Sequence, residues 1–166
     1  MREAIVWSKA KTEPCRYLSN FTRVVGGIHV TLPDGVISVF PSIEHAYHAF
    51  KAFYLEGGAV NSALAYTFTS EGVVGAQEGL ACKRAGGRKA FKRAGCCLDC
   101  VRWAEVNVGI MERLVLARAA ADVRYGTLCR ELVAGGYAIR HHVPRGKDVL
   151  LLGRWLQELG SNLLTV

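Results

Sequence analysis

The fold is decided between residues 28 and 51, where the sequence reads IHVTLPDGVISVFPSIEHAYHAFK. Apolar and polar residues alternate over 28–32 and again over 36–40, and Pro33-Asp34-Gly35 supplies turn residues between the two runs. This pattern predicts a β-hairpin, since alternation marks strands and Pro, Asp and Gly favour turns. A short strand from Ala4 to Trp7 is predicted to join the hairpin.

A helix is predicted to follow the hairpin directly. Ser42 can cap its first turn, and the apolar residues then recur with helical spacing. These residues are Ile43, Tyr47, Phe50 and Tyr54.

Five further helices are predicted downstream: 59–68; 71–83 after a Ser70 cap; 101–121 after an Asp99 cap; 124–134, ending at Gly135-Gly136; and 149–159, ending at Gly160. The helix over 101–121 is predicted to have one apolar stripe, formed by Ala104, Val108, Met111 and Val115. Strands come first and helices dominate afterwards, which predicts an α+β fold: a small sheet containing the hairpin, followed by a predominantly helical body. We predict one domain over residues 1–166.

The charge of the chain favours anionic partners. The formal net charge is +7, and 51% of the residues are hydrophobic, as in a folded protein. The sequence contains no run of about 18 apolar residues and begins without a signal peptide's apolar stretch, so we expect a cytoplasmic protein without a membrane partner. We also expect the six cysteines to be free, partly buried thiols.

Neither a metal nor a cofactor is expected. Cys97 and Cys100 could be combined with Cys82, His141 and His142 into a zinc site, but a second closely spaced ligand pair is absent from the sequence. The sequence also lacks a P-loop and a G-x-G-x-x-G fingerprint.

Three polar residues share one face of the predicted Ser42 helix. With about 100° per residue, His48 lies about 40° and Lys51 about 20° from Glu44, on either side of it. A carboxylate, an imidazole and an amine in one row could line a pocket. The row is equally typical of an ordinary solvated helix face, in which Glu44 stabilises the first turn.

Two segments resemble the paired signatures of the NADAR, or YbiA-like, family. Residues 17–21 read YLSNF, and residues 40–51 read FPSIEHAYHAFK. They match an S-N-F element followed by P-[ST]-x-E-H-x-[YF]-x-x-x-K. A weaker match continues through Trp103 and Met111 and through Gly146-Lys147-Asp148. The resemblance implies a YbiA-like α+β fold over nearly the whole chain.

The resemblance also implies an N-glycosidase, which hydrolyses the bond between a ribose C1′ and a nitrogen. Substrates in the family are phosphorylated riboflavin-pathway intermediates and ADP-ribose attached to guanine, so the implied partner is an anionic nucleotide-like molecule or an ADP-ribosylated nucleobase. By position, Glu44 and Lys51 match catalytic residues. Implied substrate-binding residues are Ser19, Asn20, Phe21, His48, Trp103, Lys147 and Asp148.

The chemistry suits these residue types. A carboxylate such as Glu44 can stabilise the positive charge that develops at C1′ or position a water. A partly desolvated lysine such as Lys51 can attack C1′ as a neutral amine and form a Schiff base. Because the two residues lie about 10 Å apart along the helix axis, we expect no direct pairing between them.

Other roles are open for several residues. Asn20 and Phe21 could hydrogen-bond and stack a ligand, or be a turn residue and a core aromatic. Trp103, off the predicted stripe, could stack the leaving base or belong to the core. His45 is predicted to fix a neighbouring loop through backbone hydrogen bonds.

The chain departs from the family near its end, where residues 139–148 read IRHHVPRGKD. The late Asp and the Trp-Gly element of the family are missing, and Asp148 replaces an Asn. One interpretation is a changed specificity, in which Arg140, His141, His142 and Arg145 offer cations to phosphates. The alternative is a site that binds without turnover.

The run over 83–93 carries six cations and no acid. It suits the phosphates of a nucleic acid or a nucleotide, or it is a solvated loop. The six are Lys83, Arg84, Arg88, Lys89, Lys92 and Arg93.

Overall fold

A computed structural model describes residues 2–142 and 149–162. In chain order its elements are β1 (Arg2–Val6), α1 (Glu13–Tyr17), β2 (Ile28–Thr31), β3 (Ile37–Phe40), α2 (Ile43–Lys51), α3 (Ser62–Tyr66), α4 (Leu80–Ala85), α5 (Arg88–Arg93), α6 (Cys100–Ala121), α7 (Val123–Ala134), β4 (Tyr137–His141) and α8 (Val149–Gly160). A 3₁₀ turn covers Glu56–Gly58. The predicted α+β class is confirmed.

The predicted hairpin is present. Strands β2 and β3 pair antiparallel, with Ile28 opposite Phe40 and Thr31 opposite Ile37. The turn closes with a hydrogen bond from the Leu32 amide to the Val36 carbonyl at 2.9 Å, and Gly35 takes a φ of 85°, which favours glycine.

The prediction that the first strand joins this hairpin is wrong. Strand β1 instead pairs in parallel with β4, with Val6 opposite His141, and the two strands form a separate sheet. Parallel strands require a long crossover, so the partner comes from a distant part of the sequence and leaves no local signal.

The predicted helix over 71–83 is also largely wrong, because α4 begins only at Leu80. A Cβ at Gly72 would lie 2.2 Å from the Thr67 carbonyl oxygen, and one at Gly75 would lie 1.8 Å from that of Thr69. These glycines let a turn-rich segment pack against the backbone that follows α3. The predicted helix over 59–68 is shorter than expected, since it begins after an Asn61 cap and ends at Tyr66.

Helix α6 buries a face that is rotated from the predicted stripe and shares Val115 with it. Its buried side chains are those of Trp103, Ile110, Leu114, Val115 and Arg118, whereas Ala104 and Val108 are exposed. The buried face also contains a fully buried arginine, Arg118, which an apolar stripe does not predict.

The predicted caps and ends of the long helices are confirmed within a residue. Asp99 accepts hydrogen bonds from the amides of Val101 and Arg102 at 3.1 Å, and α7 ends at Ala134 before Gly135. Among the described residues, even the longest helix is not apolar enough to cross a membrane.

The hydrophobic core extends through both sheets and the long helices. Val6 of β1, Phe40 of β3 and Phe50 of α2 are buried in it together with Leu114 of α6 and Leu156 of α8. The apolar side of α2 therefore packs into the core, and its polar row is held at the margin of a rigid scaffold.

Candidate functional site

The YLSNF segment and helix α2 meet through backbone hydrogen bonds. The Glu44 amide donates to the Asn20 carbonyl at 3.0 Å, so the segment satisfies one of the free amides in the first turn of α2. The Val24 amide donates to the Pro41 carbonyl at 2.8 Å. The structure thus joins the two segments that carry the family resemblance.

Arg118 of α6 anchors the YLSNF segment through hydrogen bonds to its backbone. Its guanidinium donates to the carbonyls of Ser19 and Tyr17, both at 2.7 Å, and lies 4.1 Å from the centre of the Tyr125 ring. Arg118 is 0% exposed, and Asp122 lies 3.6 Å from it as a counter-ion. A buried charge is tolerated only when paired and hydrogen-bonded, as it is here.

The start of α2 is fixed by Ser42 and His45. The Ser42 hydroxyl lies 2.8 Å from His45 Nδ1, and the other ring nitrogen of His45 lies 2.9 Å from the Gln77 carbonyl oxygen. His45 therefore donates to Gln77 and ties the turn-rich segment to the helix. This confirms the predicted role of His45.

A chain of hydrogen bonds joins the three polar residues on α2. Glu44 Oε1 lies 3.0 Å from His48 Nε2, and Lys51 Nζ lies 2.9 Å from His48 Nδ1. Glu44 is 9% exposed and His48 4% exposed, so the row is not a solvated face. Glu44 and Lys51 are connected through His48, in agreement with the prediction that they do not pair directly.

Burial and neighbouring charges set the protonation states of this row. Burial lowers the pKa of Lys51 to about 8, opposed by the Glu44 carboxylate and assisted by the charges of Lys83 and Arg88. Burial also lowers the pKa of His48, although the hydrogen bond to Glu44 opposes it. For Glu44 burial acts to raise the pKa, but the His48 hydrogen bond and the nearby cations outweigh it and bring the pKa below its usual value.

Aromatic rings and one glycine enclose Lys51. Its Nζ lies 5.2 Å from the Tyr47 ring centre and 5.9 Å from that of Trp103, and it donates to the Gly86 carbonyl at 3.2 Å. A Cβ on Gly86 would lie 2.0 Å from His48 Cγ, so only glycine fits against the imidazole. The ammonium of the half-buried Lys51 is therefore held by π-faces and a carbonyl on its inner side.

A cleft of about 260 Å³ opens beside Glu44. It lies where β1 and β4 end, because the His142 amide donates to the Val6 carbonyl at 3.0 Å and places Trp7 beside His142, with 4.9 Å between ring centres. The YLSNF segment and the start of α4 complete it. The lining residues are Trp7, Ser8, Lys9, Ser19, Asn20, Phe21, Glu44, Gly79, Leu80, Lys83, His141 and His142.

The structure brings four of the predicted site residues together in the cleft: Ser19, Asn20, Phe21 and Glu44. Asn20 is buried, and its Oδ1 has no hydrogen-bond partner in the described part of the chain, which leaves an unsatisfied acceptor beside the cleft.

The other predicted residues do not line the cleft. His48 and Lys51 lie behind Glu44, and Trp103 is a buried core residue that contacts Tyr47 and Tyr54. Lys147 and Asp148 lie outside the described residues, as does Arg145.

Five residues of the cleft were not predicted as site residues: Trp7, Ser8, Lys9, Gly79 and Leu80. Lys9 faces the cleft together with Lys83. The parallel β1–β4 pair creates this part of the site, since the carboxyl ends of parallel strands share one edge. The sequence feature that could have indicated this part of the site is Trp7-Ser8-Lys9, at the end of a predicted strand.

The expectation that Arg140 and His141 offer cations to phosphates is not met. Burial lowers the pKa of His141 to about 4, so this side chain is neutral near pH 7. Arg140 points to Glu3 on the neighbouring strand, 3.6 Å away, and is not among the cleft residues. The cations at the cleft are those of Lys9 and Lys83.

The basic run over 83–93 forms the end of α4 and all of α5, and is therefore not a loop. Every one of its six cationic residues is exposed. Lys83 both belongs to this surface and lines the cleft, so it connects the two.

The six cysteines are free thiols, four of them buried and two, Cys97 and Cys100, exposed. Burial raises the pKa of Cys82, beneath the α2 row, to about 12. Within residues 2–142 and 149–162, no group of three His, Cys, Asp or Glu side chains is placed to hold a metal.

Comparison with family models, with curated proteins and with solved structures finds no match to this chain.

Proposed function

We propose that the protein is an N-glycosidase that hydrolyses a ribose C1′–nitrogen bond in a phosphorylated nucleotide-like or ADP-ribosylated substrate. The observation that carries this proposal is the Glu44–His48–Lys51 chain, in which Glu44 and His48 are buried and Lys51 half-buried, and which reaches a cleft through Glu44. Buried titratable groups with shifted pKa values beside a cleft are typical of catalytic sites.

Glu44 is the group that meets the ribose. Its carboxylate lines the cleft, and its lowered pKa maintains the negative charge at neutral pH. Cleavage of a C1′–nitrogen bond produces positive charge on C1′ and the ring oxygen, which a preorganised carboxylate stabilises. Asn20, with its free Oδ1, is positioned to accept from a ribose hydroxyl.

Lys51 is the nucleophile in this proposal. With a pKa of about 8, about a tenth of it is neutral amine at pH 7. Nζ bonds to C1′ while the C1′–N bond breaks and its electron pair leaves with the base nitrogen, which takes the proton that the attacking amine releases, passed on by Glu44. Loss of the Nζ proton and opening of the C1′–O4′ bond, with protonation of O4′, gives a Schiff base that water hydrolyses.

Access to C1′ requires Lys51 to move. Its Nζ lies behind His48 and bonds to His48 and the Gly86 carbonyl, so the side chain has to swing past the imidazole to reach the cleft. A neutral amine makes this movement at lower cost, since its hydrogen bonds are weaker than the charge-assisted bonds of an ammonium.

The anionic part of the substrate is assigned to Lys9 and Lys83. Both line the cleft, and both are exposed and free to meet a phosphate. If the base belongs to a nucleic acid, its strand continues from Lys83 along the exposed cations of α4 and α5.

A second candidate function is a binding module for ADP-ribose or nucleic acid without turnover. It is favoured by the position of Lys51, which does not line the cleft in this conformation, and by the exposed cations of α4 and α5. Such a module would use the same cleft and the same basic surface.

Turnover separates the two candidates. The protein is incubated with NAD, ADP-ribose, ADP-ribosylated guanine nucleotides and phosphorylated riboflavin-pathway intermediates, and base release is followed by chromatography. Release that is lost in Lys51→Ala but kept in Lys11→Ala, an exposed lysine that does not line the cleft, supports the enzyme. Binding without release of any base rejects it.

Borohydride tests the covalent step. Added during turnover, it should reduce the Schiff base and leave a sugar adduct on the peptide that contains Lys51, detected by mass spectrometry. Full activity of a folded Lys51→Ala variant would remove the amine from the mechanism.

A further inference from the structure

The hydrogen bonds of His48 fix which ring nitrogen carries the proton. An ionised carboxylate can only accept, and an ammonium can only donate. His48 Nε2, 3.0 Å from Glu44, therefore donates, and Nδ1, 2.9 Å from Lys51, accepts. The imidazole is neutral in this arrangement, in agreement with its burial. In each of the two hydrogen bonds the donor lies on the Lys51 side, so both bonds have the direction that proton transfer from Lys51 to Glu44 requires.

We propose that His48 is a positioning residue that relays a proton from Lys51 to Glu44. The relay prepares Lys51 as the nucleophile and Glu44 as the acid. This inference rests on the N-glycosidase function proposed above. The Lys51 ammonium gives a proton to His48 Nδ1, while the Nε2 proton passes to Glu44 Oε1. Two protons move, and the imidazole ends in its other tautomer. The products are a neutral amine and a protonated carboxyl group.

The relay converts an ion pair into a neutral pair without changing the net charge. A substrate that fills the cleft displaces water from Glu44, and lower polarity favours neutral groups over separated charges. The amine gains a free electron pair for attack on C1′, and Glu44 gains the proton that the leaving nitrogen needs.

The charges around the row favour proton loss from Lys51 but oppose proton gain by Glu44, whose pKa Lys83 also lowers, so the transfer needs the loss of water on substrate binding. Lys83 of α4 and Arg88 of α5 both lower the pKa of Lys51. His141 of β4 faces Glu44 as a neutral group, and the buried Cys82 thiol of α4 is also neutral. His45, on α2 itself, is held by Ser42 and Gln77 and takes no part.

Gly86 keeps the imidazole in place for the relay. Its backbone lies against the His48 ring, where a Cβ would come within 2.2 Å of Nδ1 and 2.5 Å of Cδ2. The ring therefore cannot move towards α4, and its two hydrogen bonds retain their direction.

The first test reads the tautomer without substrate. In protein labelled with ¹⁵N on histidine, the resonances assigned to His48 by their loss in His48→Gln should show a protonated Nε2 and an unprotonated Nδ1 at pH 7. The exposed His29 serves as the reference imidazole. A proton on Nδ1 overturns the relay whatever activity the protein has.

The second test separates proton transfer from structural support. A Gln at position 48 offers a donor and an acceptor but does not exchange protons between them. His48→Gln should reduce kcat about 100-fold at pH 6.5, where Lys51 is charged, and less than about 10-fold at pH 9.5, where Lys51 is neutral without the relay. His29→Gln is the matched control and should have no effect at either pH.

The outcomes distinguish the relay from the proposed function. An equal loss in His48→Gln at both pH values, with wild-type turnover intact, rejects the relay alone. The expected tautomer without turnover of any substrate rejects the N-glycosidase and the relay that depends on it. The expected tautomer together with the pH-dependent loss supports both.

Discussion

Substitution of Gly86 by Ala tests the packing that holds the polar row. The new methyl group would lie 2.0 Å from His48 Cγ, which is a ring atom and cannot move as the end of a flexible chain can. Gly86 has a φ of −84° and a ψ of 4°, a conformation open to Ala, so the backbone itself adds no strain. Any loss of stability therefore comes from displacement of the imidazole.

The magnitude follows from three contributions. Overpacking in a rigid site costs about 1–3 kcal/mol. Weakening of the His48 bonds to Glu44 and Lys51 costs about another 1.5–3 kcal/mol, since both partners are charged. The reduced freedom of the unfolded chain returns about 0.4–1 kcal/mol. We expect Gly86→Ala to lower the free energy of unfolding by about 1.5–5.5 kcal/mol.

Urea denaturation followed by circular dichroism measures this difference. Gly87→Ala is the matched control, because a Cβ there would lie 3.2 Å from the Arg84 carbonyl oxygen and away from the row. We expect that control to stay within about 1 kcal/mol of the wild type. Equal midpoints for Gly86→Ala and the wild type would refute the argument that Gly86 holds His48.

Three further predictions follow from the same geometry. Glu44→Gln should reduce turnover about 100- to 1,000-fold and bring the pKa of Lys51 below about 8, because the carboxylate stabilises the ammonium. Initial rates and competitive amine labelling across pH check this, and an unchanged Lys51 pKa would contradict it. Arg118→Met should lower the free energy of unfolding by about 3–5 kcal/mol, since the carbonyls of Tyr17 and Ser19 lose their donors and Asp122 loses its counter-ion. Arg113→Met, an exposed position on the same helix, should change little in the same denaturation experiment, and similar losses in both variants would argue against the anchoring role. Stability should also fall between about pH 6.5 and pH 4, because the unfolded chain protonates His141 in this range while the folded protein does not. The loss from this partly exposed group should stay below about 3 kcal/mol, and His141→Gln should flatten the curve; an equally steep curve in that variant would assign the effect to other groups.

The sequence predicted the elements that depend on nearby residues. The hairpin over β2 and β3, the Ser42 cap of α2 and the Asp99 cap of α6 are local patterns, and each is present. It also predicted that Glu44, His48 and Lys51 share a face, although the same pattern fitted a solvated helix. Their burial decides between the two interpretations, since His48 is 4% exposed and hydrogen-bonded on both sides.

Local patterns failed where close backbone packing decides the structure. The segment over 71–83 contains Gly72 and Gly75, whose missing side chains allow the chain to turn against residues 67–69. On α6, Trp103 and Arg118 both lie on the buried face, and neither belongs to the predicted stripe. The predicted stripe was drawn through apolar residues alone, so it did not include Arg118 and was rotated relative to the buried face.

Periodicity along the sequence thus determined the hairpin, the long helices and the polar row on α2, because each depends on residues a few positions apart. Only the tertiary structure decided what surrounds the row. The parallel pairing of β1 with β4 brings Trp7 and His141 to the cleft. The backbone of Gly86 packs against the His48 ring, which lies between Glu44 and Lys51. These contacts join residues far apart in the chain, so their geometry is set by how the helices and sheets pack together.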